Sequence, residues 1–209
     1  MNNKEFIKEI VNLYRSARDT KYPIGFRGRS HTISSYVEDL FWYYLWINNS
    51  IDSIYIDQPL SVEWYNKIIY PDIITVNSNS TITNFFDLKM DLWWMRDKLV
   101  EYAIKYEELI NSINNKECKL KIWTDKAIKK LTIWKNVKFN IVVISWKNIS
   151  KNKLEENINE FEKHNFKNVN LMVLTNNIHP NEYWIDINDV IDQIDINTLA
   201  FDKINNLNY

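Results

Sequence analysis

The eight residues Phe139 to Trp146 read Phe-Asn-Ile-Val-Val-Ile-Ser-Trp, an almost unbroken apolar run. A run of that length, rich in β-branched residues, is a strand buried on both faces. Such a strand belongs in the middle of a sheet that is covered by helices on both sides. A second run, Val169 to Thr175, follows after Leu154, Ile158, Phe161 and Phe166 mark an intervening helix. Strand, helix and strand in that order make a crossover joining parallel neighbours. The chain is therefore expected to be an α/β protein.

The residues before this core fit the same plan. Phe6, Ile7, Ile10, Val11 and Tyr14 form one helical stripe, and Pro23, Gly25 and Gly28 then break the chain. Ser34-Ser35 is expected to cap a helix from about Tyr36 to Trp46, buried through Val37, Leu40, Phe41, Tyr44 and Leu45. Ile51, Ile54 and Ile56 read as a strand stopped by Pro59. Ser61 to Asn66 is ambiguous between a helical turn and an insertion. Two β-rich runs, Ile73–Val76 and Thr81–Phe86, flank Asn77-Ser78-Asn79-Ser80, which reads as a hairpin turn. A turn centred near Ser78-Asn79 sets Asp72 opposite Phe85. A long helix from Trp94 to Ile113 follows. Trp184 to Ile187 is a candidate edge strand, and Asp189 onward an acidic helix or tail.

Composition narrows the chemistry by exclusion. Cys118 is the only cysteine, so neither an intrachain disulfide nor a cysteine zinc site is available. Gly25 and Gly28 are the only glycines and both precede residue 30, so no later loop can cradle phosphates in the Gly-rich manner. His31, His164 and His179 lack metal-ligand spacing. No apolar run approaches a membrane span, and the start of the chain lacks a secretory apolar segment, so a cytoplasmic location is expected. Net charge is −1, yet the charge is segregated. Eight lysines stand between Lys116 and Lys138 against Glu117 and Asp125, with Trp123 and Trp134 among them. Six acids and no base lie between Glu182 and Asp202. Lysines interleaved with aromatics suit a phosphate-tracking surface, and Lys126, Lys129 and Lys130 are candidates for it. The plainer reading is a solvated basic face. Arg27, Arg29 and His31, between and just after the glycines, are further candidates for gripping phosphate oxygens.

Alternation along the second hairpin strand puts Asp87 and Lys89 on one face with Phe85. Asp72, at the mouth of the first strand, can meet them there, and two carboxylates with one ammonium invite a divalent cation. The plain alternative is a surface Asp–Lys pair of little consequence. Pro71-Asp72, a spacer, then Asp87-Leu88-Lys89 resembles the signature of the PD-(D/E)xK nuclease superfamily, which includes many restriction endonucleases. The resemblance covers about residues 33 to 146 in element order and only a few residues in identity. It implies a restriction-endonuclease-like core: a central mixed five-stranded sheet flanked by helices, in α-β-β-β-α-β order. On that plan residues 1–209 form one domain. Residues 1–32 are an N-terminal helix and basic loop, 33–175 the catalytic core with a basic insertion at about 116–138, and 176–209 an acidic C-terminal segment.

The resemblance also implies roles. Asp72 and Asp87 would hold Mg²⁺ (or Mn²⁺ in its place), the Leu88 carbonyl would add a ligand, and Lys89 would sit beside the attacking water. Helices before the sheet in this superfamily often carry a glutamate of the metal site. Glu38 matches by order and placement, with Asp39 the weaker competitor. The implied activity is hydrolysis of double-stranded DNA by a type II restriction enzyme, acting as a homodimer beside a companion DNA methyltransferase. Junction resolvases and repair or phage nucleases are neighbouring possibilities. A non-catalytic nucleic-acid-binding protein is the reading from a different class.

Overall fold

A computed structural model describes residues 1–18, 32–182 and 184–209. The chain begins with α1 (Asn3–Ser16), held at its start by a reciprocal cap between Asn2 and Glu5. Next come α2 (Ser34–Asn48) and five strands: β1 (Ser53–Ile56), β2 (Leu60–Val62), β3 (Ile68–Ile69), β4 (Ile73–Val76) and β5 (Thr81–Lys89). A 3₁₀ turn (Trp93–Met95) leads into α3 (Leu99–Ile113). The rest is β6 (Glu117–Lys121), β7 (Ile128–Ser145), α4 (Lys151–His164), β8 (Val169–Asn176), α5 (Ile187–Gln193), β9 (Asp195–Ile196) and α6 (Thr198–Asn205).

The described residues build one mixed, open nine-stranded sheet with helices on both sides, an α/β architecture. The strand count exceeds the expected five by β2, β3, β6 and β9; the basic segment supplies β6, on which β2 and then β3 build. Residues 116–138 are built into the same sheet. They form an antiparallel hairpin of β6 with the first part of β7, and β7 then continues through Phe139 to Ser145 as one strand. Lysines mask the pattern, but Cys118, Leu120, Leu131 and Ile133 are buried while Lys119, Lys121 and Lys130 are exposed. The ambiguous 61–66 stretch opens with the end of β2, which pairs with β6.

The β1, β4 and β5 strands pair antiparallel in succession, and β5, β7 and β8 run parallel. Alternation along these strands splits the interior in two. Ile73, Phe86, Leu88, Val142, Ile144 and Met172 pack with α1, α2, α5 and α6. Ile74, Phe85, Ile141 and Val143 pack with α3. A row of buried or half-buried asparagines crosses the first of these faces. Asn170 donates to Asn140 at 2.8 Å, Asn140 donates to the Phe85 carbonyl at 3.1 Å, and Asn84 donates to the Asn208 carbonyl at 2.8 Å. The row satisfies its own polar atoms and ties the C-terminal residues to the sheet.

Consecutive β1 and β2 lie far apart in the strand order β1-β4-β5-β7-β6-β2-β3. Only Asp57, Gln58 and Pro59 join them, and three residues span little more than 10 Å. The sheet must therefore curl until its two ends approach each other. Strand β7 runs through both halves of the sheet, and its pairing with β5 slips between Ile133 and Lys138. The Lys129 ammonium, 2.7 Å from the Tyr55 hydroxyl of β1, marks the closure.

Three local expectations are corrected. Helix α2 starts at Ser34 with Ile33 in the cap position and no side-chain cap, so Ser34-Ser35 are its first helical residues. The helix after Lys89 starts at Leu99, because the 3₁₀ turn takes the chain past Trp94 first. No edge strand forms over 184–187. Asp186 caps α5 through the Asn188 amide, and Asp195–Ile196 pairs with β8 instead. The acidic segment is helical but not simply solvated, since Val190, Phe201 and Ile204 are buried. No described helix is long and apolar enough to cross a membrane.

Candidate functional site

The hairpin of β4 and β5 pairs Ile73 with Phe86 and Ile74 with Phe85. Continued by one residue, this register sets Asp72 opposite Asp87, not opposite Phe85. Half of this two-residue offset is already present beside the turn, where Val76 pairs with Ile82, and the irregularity between Thr75 and Val76 adds the other half. The Asn77 side chain organises that turn, accepting from the Asn79 and Thr81 amides. The corrected register brings the two carboxylates closer together than expected.

Backbone geometry explains how close. The Leu88 amide donates to Asp72 Oδ2 at 2.6 Å, so Leu88 turns its polar backbone toward the β4 side. The N–H and C=O of one strand residue point the same way, so the Leu88 carbonyl also faces that side, past the end of the β4 ladder. Asp72 and Asp87 are then a non-hydrogen-bonded cross-strand pair, the kind whose side chains lie nearest. Like charges in that position repel.

Lys89 shares the Asp87 face and offsets part of the repulsion. Its ammonium lies 2.7 Å from the Asp87 carboxylate and 5.6 Å from the Tyr102 ring centroid on α3. The ammonium is equally close to both oxygens: hydrogen-bond geometry is met at Asp87 Oδ1, and the buried Oδ2 is held by the ion pair without a hydrogen bond. Tyr102 in turn packs on Tyr106, which stacks on Phe139 at 3.8 Å. Burial, and next the Asp87 charge, hold the Tyr102 hydroxyl far above its ordinary pKa, so it stays a proton donor.

Glu38 arrives from α2 on the other side of the sheet and is half-buried, whereas Asp39 is exposed. Burial pushes the Glu38 carboxyl up to about 7, and the charges of Asp72, Asp57 and Asp39 add to it while Lys89 opposes. Asp72 is pushed up to about 6, first by burial and then by Asp87, against the Leu88 amide and Lys89. Asp57 belongs to the same electrostatic group. It ends β1 in a left-handed conformation, φ 46°, and its amide donates to the Asp72 carbonyl at 2.9 Å.

Glu38, Asp72, Asp87 and Lys89 thus share one electrostatic environment at one end of the sheet. Asp57 and Tyr102 join them without having been singled out in the sequence. Asp57 follows a short strand and needs the curl of the sheet to matter. Tyr102 sits on a stripe that reads as core. The basic candidates divide. Lys126, Lys129 and Lys130 are exposed on the β6–β7 hairpin. Lys129 is engaged by Tyr55, Lys130 faces Lys119 across the strands, and Lys126 occupies the tip in a left-handed conformation. The tip is laid against the segment after Asp57, with the Trp123 amide donating to Gln58 Oε1 and the Lys121 amide to the Pro59 carbonyl. Arg27, Arg29 and His31 lie outside the described residues.

The donor set fits a hard divalent cation. Among the described residues no three His, Cys, Asp or Glu side chains form a ready-made metal cage. Mg²⁺ does not need one, since it keeps several waters and binds through one or two carboxylates plus substrate phosphate. The buried Asp87 carboxylate, and the carboxyls of Glu38 and Asp72 raised by burial and then by neighbouring charge, describe a place where a cation would relieve a cost. The raised pKa values have a consequence for the metal-free protein. A carboxyl with a raised folded-state pKa binds more protons folded than unfolded. Its contribution to stability therefore falls as pH rises from about 4 to about 7. Glu38→Gln is expected to melt higher than wild type in chelator at pH 8, with the difference closing near pH 4. Thermal denaturation at the two pH values checks this, and equal midpoints at pH 8 would contradict it.

Compared with known proteins, the chain matches no family model, no curated protein and no solved structure.

Proposed function

We propose that this protein is a Mg²⁺-dependent deoxyribonuclease with a restriction-endonuclease-like core. One observation carries the reading: Asp72 and Asp87 stand side by side on neighbouring strands, with the Lys89 ammonium 2.7 Å from the Asp87 carboxylate. The element order supports it, since α2 precedes antiparallel β1, β4 and β5, and α3 leads on toward parallel β7. The half-buried Glu38 supports it further, in preference to the exposed Asp39.

Each residue has a task in phosphodiester hydrolysis. Asp72, Asp87 and the Leu88 carbonyl would hold the cation, with Glu38 joining directly or through water. Mn²⁺ would substitute. The bound cation supplies charge for the scissile phosphate and a lowered pKa for the attacking water. Lys89 places a second positive charge where hydroxide and the pentavalent anion develop, stabilising both. Tyr102 keeps its proton and packs against the Lys89 ammonium, limiting where that charge can go. The Leu88 amide fixes Asp72 by one hydrogen bond and leaves its other oxygen for the cation.

A type II restriction role on duplex DNA, a homodimeric assembly and a companion methyltransferase extend this proposal and rest on the resemblance alone. Plasmid and single-stranded DNA incubated with the purified chain and Mg²⁺, against a chelator control, test the activity. Metal-dependent cutting of at least one of them is expected, with discrete plasmid fragments if the enzyme is a sequence-specific duplex cutter. Failure to cut any duplex, branched or single-stranded DNA with Mg²⁺ or Mn²⁺ would overturn it.

A further inference from the structure

Exposed aromatic rings stand on three separate segments that lead to or from the carboxylate group. Tyr70, 60% exposed, lies two residues before Asp72. Trp94, 89% exposed, sits with Trp93 on the 3₁₀ turn that carries the chain from Lys89 to Tyr102. Trp123, 58% exposed, stands at the hairpin tip that is hydrogen-bonded to Gln58, the neighbour of Asp57. A tryptophan left this open forgoes a large apolar burial. Trp94 and Trp123 stand on different elements linked to this polar centre, and neither packs into the core.

Two of the rings carry a cation of their own. The Arg96 guanidinium lies 4.6 Å from the Trp93 ring centroid, while also pairing with Asp97. The Lys121 ammonium lies 4.9 Å from that of Trp123. Ring and cation side by side offer a stacking face and a phosphate partner in one unit. A base within a duplex cannot use such a face, because its neighbours cover both of its own. Duplex readers instead send polar side chains into the grooves. We propose that this rim binds an unpaired DNA strand, its bases stacking on Trp94 and Trp123 and its phosphates lying against Arg96 and Lys121, so that the nuclease site meets a single-stranded segment rather than intact duplex. This inference rests on the nuclease reading for the site but is tested apart from it.

Binding is measured in chelator, where no metal-dependent cutting can occur, using the full chain. A labelled oligo-dT strand and a duplex of equal length are titrated by fluorescence anisotropy, and intrinsic tryptophan emission is followed in parallel. The single strand is expected to bind at least about tenfold tighter and to quench the emission. Trp94→Ala and Trp123→Ala are each expected to weaken strand binding by about 5- to 150-fold, the range of a single base–aromatic stack. Trp94→Phe, which keeps a stacking face, is expected to retain most of it. Both sites are exposed, so unchanged thermal midpoints will accompany the loss.

Equal or tighter duplex binding would overturn the inference, as would alanine variants that bind the strand like wild type. A concentration-dependent dimer abolished by Trp94→Ala would also overturn it, by assigning the rim to a second copy of the chain. The two readings fail separately. Metal-dependent cutting of duplex without strand preference removes this inference alone. Strand binding with no cutting of any DNA removes the nuclease reading alone.

Discussion

Asp72→Asn is expected to abolish Mg²⁺-dependent DNA cleavage and, at the same time, to raise the melting temperature of the metal-free protein at pH 8. The two effects share one cause. Burial and the neighbouring Asp87 charge already push the Asp72 carboxyl up to about 6, so its ionised form is held in the folded protein at a cost. An asparagine keeps an oxygen that can accept the Leu88 amide and removes the charge that repels Asp87. Above pH 6 the wild-type group contributes unfavourably to folding. Below about pH 4 it is protonated in both states and the advantage of the variant disappears. The same missing charge is one that a cation would need, so cleavage should fall by at least about a thousandfold, on the scale of losing a principal electrostatic contributor. Parallel melting curves in chelator and cleavage assays in Mg²⁺ read both halves. A variant that cuts normally removes Asp72 from the site, and one that melts lower at pH 8 contradicts the electrostatic reading.

The largest effect on stability is expected from Phe86→Ala. Phe86 lies between the central strands, fully buried, with its ring 5.6 Å from that of Phe41 on α2 in an edge-on contact. It immediately precedes Asp87 but points to the opposite face of the sheet, where it helps seat the helix that carries Glu38. Truncation removes the ring's burial and leaves a cavity that the paired strands on either side can only partly fill. The cost should be about 3–5 kcal/mol, a large share of the ~5–15 kcal/mol typical of a whole domain. Chemical denaturation measures it directly. A loss below about 1.5 kcal/mol would mean that α2 and the sheet are not packed as described.

The parts of this architecture legible in the sequence are those set by short-range periodicity. Phe139–Trp146 and Val169–Thr175 announce themselves because a strand buried on both faces has no polar alternation to confuse. Asp87 and Lys89 share a face for the same reason, a period of two. Their pairing with Asp72 depends on register, and register depends on an irregularity at Val76 that no residue type announces. The β6–β7 hairpin is obscured by its own lysines, which occupy exposed positions of a strand pattern whose buried half includes Cys118, Leu120, Leu131, Ile133 and Val137. Asp57 and the hairpin tip come to the carboxylates only because the sheet curls until β1 and β2 can be joined by three residues. That closure arises from pairings far apart in sequence. Tyr102 is core-like by spacing, and becomes part of the site because Lys89 lies on its ring.

The central claim is that Asp87 belongs to a cation-dependent hydrolytic site, and single-turnover cleavage by wild type and Asp87→Asn, measured beside DNA binding, tests it most directly. Wild type is expected to cut with Mg²⁺ and to stop on chelation, while Asp87→Asn binds DNA within about threefold of wild type and does not cut. An Asp87→Asn chain that cuts DNA at the wild-type rate would contradict the account.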